Sequence, residues 1–166
     1  MTIVLIAVAS YLMATTLLAR GGNAARGRWL SLGCVGIATH ASFHALAAAT
    51  SPGGADLHFF AALSLVTLGM AALTTAVALR GQLTAVVLVV YPLASLALIG
   101  SSAYGHAPSP ALGWRLQTHA WMALLAYATL AIGTVLALML RVQERALRLR
   151  RFSDWSRRLP PLSALE

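Results

Sequence analysis

Of the chain's 166 residues, 59% are hydrophobic and only 10% charged, and the net charge is +8. So little polar material cannot clothe a soluble domain, and the composition places the chain in a membrane. The positive charge is all arginine, with no lysine. It falls between apolar runs, which assigns it to membrane-flanking segments and anionic lipid, with no nucleic-acid partner.

The first apolar run, Thr2–Ala19, is long enough for a hydrocarbon core about 30 Å thick. It has no positively charged start, and Arg20 follows it, so it is expected to be a retained, signal-anchor-like helix. After Arg20, Arg26 and Arg28 comes the second run, Trp29–Ala49, with Cys34, His40 and His44. Cys34 is the only cysteine, which excludes an internal disulfide or a Cys-pair metal site. No Cys-x-x-Cys-His occurs, so the chain does not itself attach haem covalently.

The segment Thr50–Asp56 leads to the third run, Leu57–Leu79, with His58 at its start. Arg80 separates it from the fourth, Leu83–Gly100, where Pro92 follows Tyr91 and should kink the helix. The loop Ser101–Arg115, with His106 and Trp114, precedes the fifth run, Leu116–Leu140, with His119 near its start. The helix should continue through Arg141–Arg151 and end before Pro160. The expected fold is all-α, a polytopic membrane protein with five transmembrane helices in residues 1–140 and an arginine-rich cytoplasmic tail in residues 141–166.

With five crossings, eleven of the twelve arginines fall on one side, and only Arg115 lies on the other. The positive-inside rule then sets the amino terminus outside and the carboxy terminus inside. No Asp, Glu, Lys or Arg lies within the five runs. Ion and proton transporters need ionisable groups at depth, so a transporter is disfavoured.

All five histidines fall in the outer half. His40 and His44 are four residues apart and so project from one face of the second helix. At ~1.5 Å per residue from Trp29, His40 lies ~16 Å and His44 ~22 Å up; His119 lies ~6 Å below the outer boundary. His44 and His119 are thus at similar depth on different helices. Neutral imidazoles on two helices suit a six-coordinate haem. Zinc or copper could use the same groups, although Asp56 is the only nearby carboxylate on that side. Trp114, Trp121 and Tyr127 are candidates to line a porphyrin pocket, or else aromatic belt residues.

The stretch Leu116-Gln117-Thr118-His119-Ala120-Trp121-Met122-Ala123-Leu124-Leu125-Ala126-Tyr127-Ala128 resembles the His-x-x-x-[Ser/Leu]-x-x-[Ser/Ala]-Tyr-Ala helix of the cytochrome c assembly family, in its YpjD/HemX-like branch. The tail Pro160-Pro161-Leu162-Ser163-Ala164-Leu165-Glu166 and the segment Ala38-Thr39-His40-Ala41 are similar to that branch as well. The resemblance implies haem handling at the outer face of the bacterial inner membrane, for attachment to apocytochromes. It implies that His119 is a haem-iron ligand, with His44 or His40 as partner and no bond made by the chain itself.

The family's tryptophan-rich outer loop is missing, and its longer members continue through further helices. The chain is therefore expected to be the front five-helix part of a longer protein or a shortened member. The implied partners are membrane lipid, other cytochrome c maturation or haem-synthesis proteins, or a second copy. The alternative reading is a cofactor-free membrane scaffold or regulator of haem-synthesis or other membrane proteins.

Overall fold

The computed structural model describes residues 1–51, 57–81, 84–104 and 113–148. These residues form five α-helices: α1 (Thr2–Gly21), α2 (Arg26–Thr50), α3 (Phe59–Ala78), α4 (Thr84–Tyr104) and α5 (Trp114–Arg148), with a 3-10 turn, Gly22–Ala25, joining the first two. Each is long and apolar enough to cross a membrane. The all-helical, five-span expectation is borne out, and each predicted run overlaps one of the helices. α5 passes residue 140 without a break and reaches Arg148; residues 149–166, including the Pro-Pro-Leu segment, lie outside the described residues.

α1 to α4 close into a ring in which α1 packs on α2 and α4, and α3 on α2 and α4. α5 lies outside the ring, against α3 and, to a lesser extent, α4. Burial reports the same asymmetry: 56% of the most apolar stretch of α4 is buried, but only 11% of that of α5. The inward residues of α1 are Val4, Ala7, Tyr11, Ala14 and Leu18, with Ser10 beside Tyr11; the first five are spaced three and four apart as one helical stripe requires. Ser64, Thr67, Thr74, Thr75, Ser95 and Ser101 are buried, while Leu5, Ile6, Leu12, Leu96 and Leu130 are exposed. Apolar outside and partly polar inside suits a bundle whose surroundings are lipid, where packing and interhelical hydrogen bonds hold helices together.

Small residues set the closest approaches. A Cβ on Gly36 would meet the Tyr11 ring at 2.8 Å, and one on Gly33 would lie 2.1 Å from the Tyr91 hydroxyl. Two glycines of α2 therefore make room for tyrosines of α1 and α4. Gly69 does the same for Ala128 of α5, 3.1 Å from its would-be Cβ. α4 remains helical through Pro92, which has no N–H to give the carbonyl one turn earlier.

Side chains clasp the helices at both ends. Arg26 donates from Nη2 to the carbonyls of Ala78 (3.1 Å) and Leu79 (2.7 Å), capping α3 where its last carbonyls lack intrahelical donors. Gly81 then turns the chain at φ +83°, a conformation glycine adopts without steric penalty. At the opposite end His58 caps the start of α3. Its Nδ1 accepts from the Ala61 N–H (3.1 Å), so Nε2 carries the proton and donates to the Tyr104 carbonyl of α4 (3.0 Å). The Phe60 and Tyr104 rings stack beside it with centroids 5.0 Å apart.

Candidate functional site

The histidines sort into three environments. His58 is the cap just described, with both ring nitrogens engaged. His40 and His44 come together in the bundle. One helical turn apart on α2, both point Nε2 at the Ser64 hydroxyl of α3, at 2.8 and 2.9 Å respectively. His40 is fully buried and its Nδ1 lies 3.4 Å from the Tyr11 hydroxyl. His44 is half-buried, and the Phe43 ring stands edge-on to it at 5.2 Å.

A hydroxyl has one proton to give. Ser64 therefore donates to one imidazole and accepts from the other, so the two rings hold opposite roles at Nε2. Two arrangements satisfy these contacts: Tyr11 O–H donates to His40 Nδ1, His40 Nε2–H to Ser64 and Ser64 O–H to His44 Nε2, or every direction is reversed. Below this chain the Tyr11 and Tyr91 rings pack with centroids 5.0 Å apart, and the Tyr91 hydroxyl is 2.8 Å from Thr75 Oγ1. Such satisfied networks are stable in a low-dielectric interior, whereas an unpaired imidazole there is costly.

His119 stands apart. It is exposed on α5, nine residues from Ala128, an α5 side chain buried against α3 at 1% exposure. Nine residues are two and a half turns, so His119 projects away from the bundle. The structure accordingly brings His40 to His44 and leaves His119 on a different surface. Depth along a helix was a sound reason to compare His44 with His119, but depth does not specify direction around the helix.

The aromatic candidates do not share His119's side. Trp121 (44% exposed) is two residues on, about 200° around the helix, and Tyr127 (61% exposed) about 80° around. The side chains nearest in direction are Leu116, Met122, Ala123, Ala126 and Leu130, of which Leu116, Met122 and Leu130 are among the most exposed hydrophobics. Trp114 is 73% exposed, with the Arg115 guanidinium 5.4 Å from its ring centroid, as befits a membrane boundary. His106 lies outside the described residues.

Among the described residues, no three His, Cys, Asp or Glu come together as a metal-binding group. Sequence reasoning overlooked Ser64, Tyr11, Gly33 and Gly36. A signal was available for the glycines, which share a helical face with His40 at spacings of three and four; nothing local marks Ser64 among its neighbours.

Residues 29–166 match the family described as cytochrome C assembly protein. No curated protein and no solved structure matches the chain significantly. The match takes in α2 to α5 and leaves α1 outside, although α1 supplies Tyr11 to the polar chain. With most of its length matched and five membrane-crossing helices, the chain belongs to the cytochrome c assembly protein family, whose work is cytochrome c biogenesis.

Proposed function

We propose that this protein binds haem through His119 and presents it at the outer face of the bacterial inner membrane for cytochrome c maturation. The observation that carries this reading is the placement of His119: an exposed imidazole on an apolar helix face, with the small side chains of Ala123 and Ala126 beside it. An apolar face would suit a porphyrin, and a neutral imidazole is an ordinary haem-iron ligand. When bound, haem supplies a redox-active iron to be handed on. The chain's own part would be to hold the imidazole on α5 and to offer Leu116, Met122 and Leu130 as apolar neighbours.

His40 is a poor second haem ligand, because it is sealed in the core, where a macrocycle has no room. His44 would have to release Ser64. A second haem ligand, if one is used, would come from outside the α1–α4 ring, from His106 or from a partner's side chain. The amino terminus is outside and the carboxy terminus inside in this proposal, which rests on the arginine distribution.

The absorption spectrum of the purified protein tests the reading. A Soret band that is lost in His119→Ala and kept in His44→Ala supports it. A colourless parent protein from haem-replete cells would refute it and leave the scaffold or regulator reading, which the fully hydrogen-bonded His40–Ser64–His44 interior also suits.

A further inference from the structure

We propose that His40 and His44 form a binding site for a soft monovalent d10 cation, Cu(I) in a cell, at the point where both Nε2 atoms converge on Ser64. This site is separate from His119 and does not rest on the haem reading.

The geometry is that of a two-donor chelate. Both imidazoles come from one helix at i and i+4, so their backbone separation is fixed. Both Nε2 atoms reach the same oxygen at 2.8 and 2.9 Å, so they are no farther apart than those two bonds combined. Their rings lie 5.4 Å apart with an interplanar angle of 31°. At metal–nitrogen distances of about 2 Å, two donors on one cation are at most about 4 Å apart, so the pair would close by less than about 2 Å. In the free protein the Ser64 hydroxyl bridges the rings. A cation replaces that bridge, and the hydroxyl turns to a backbone carbonyl of its own helix, as serine commonly does.

The surroundings favour the chelate. Metal-bound histidines use their other ring nitrogen as a hydrogen-bond donor to an outer partner. The Tyr11 oxygen beside His40 Nδ1 is such an acceptor. His40 needs only to place its proton on Nδ1, which leaves the Nε2 lone pair for the metal. His44, half-buried and braced by Phe43, gives access from the outer end of the bundle.

Charge selects the ion. No carboxylate or thiolate joins the two histidines among the described residues, so the donors are neutral. Inside a membrane the desolvation penalty rises steeply with ionic charge, and two neutral donors cannot offset it for a dication. Zinc in addition takes four ligands. Cu(I), with Ag(I) as its redox-inert counterpart, tolerates two.

The test uses the full chain in detergent on a Cys34→Ser background, which removes the only thiol. Cu(I) is titrated anaerobically against a chromogenic chelator, and Ag(I) by calorimetry. The expected result is one equivalent bound, at least tenfold weaker in His40→Ala and in His44→Ala, and unchanged in His119→Ala. Ser64→Ala keeps both imidazoles and should retain binding. X-ray absorption should show nitrogen scatterers at about 2 Å and no sulfur. Because His40 lies in the core, the nitrogen-15 shifts of both imidazoles in the folded parent protein give a reading that does not depend on the variant folding. Undiminished binding in His44→Ala, sulfur scatterers, preference for Zn(II), or no binding against the chelator would each overturn the proposal. Loss of haem in His119→Ala with Cu(I) binding intact would separate the two sites.

Discussion

Gly33 of α2 leaves the space that the Tyr91 hydroxyl of α4 occupies: a Cβ at Gly33 would lie 2.1 Å from that oxygen. The hydroxyl meets Thr75 Oγ1 at 2.8 Å, so one hydrogen atom at Cα governs a bond between two other helices. Gly33→Ala should displace Tyr91 from Thr75 and destabilise the bundle by about 1–3 kcal/mol, the usual range for overpacking. Gly133→Ala is the control, since nothing lies within 4 Å of the added methyl. Thermal unfolding in detergent should show a lowered midpoint for the first and little change for the second; equal midpoints would contradict the packing described.

His58 should behave as a structural residue. Removing its cap and its tie to Tyr104 in His58→Ala is expected to lower stability by about 1 kcal/mol or more, the size of a lost helix cap. His58→Asn, which can cap but cannot reach Tyr104 in the same way, should recover part of the loss. Haem content per folded protein should be the same in all three, and a selective fall in haem would move His58 into the site.

The face of α5 that bears His119 should be sensitive to bulk. Ala126→Phe, almost directly in line with His119, is expected to reduce retained haem several-fold while leaving folding intact, because that side is exposed. Tyr127→Ala and Trp121→Ala, which project elsewhere, should retain it. The pyridine haemochrome absorbance per protein measures this. Haem loss only in the two aromatic variants would show that the porphyrin lies on another face.

Orientation is open to chemical labelling. On a Cys34→Ser background, Ser102→Cys at the histidine-bearing end should react with a membrane-impermeant maleimide in intact cells, and Arg145→Cys only after the membrane is opened. The reverse pattern would invert the topology.

The helices were legible because length and hydropathy decide membrane spans with little help from tertiary context. Leu116–Leu140 and the α5 stretch agree for that reason, and the extension to Arg148 follows from uninterrupted helix formers beyond the apolar run. The interior of the bundle was less legible. Each span is apolar on every side, so periodicity could not show that Tyr11 and Tyr91 face inward while Tyr127 faces out. Ser64 is one hydroxyl among many in the chain, and only the packing of α3 on α2 gives it two imidazoles. His119 stands out by its depth and its motif; its direction depends on where α5 touches α3, a long-range contact with no local trace.

α5 touches the bundle along one side, from Ala128, which meets Gly69, to Met139. His119 lies ~14 Å beyond this stretch at one end and Arg145 ~9 Å beyond it at the other. The helix joins the two ends without a break, so a displacement of α5 as one body would carry the imidazole and the arginine end together.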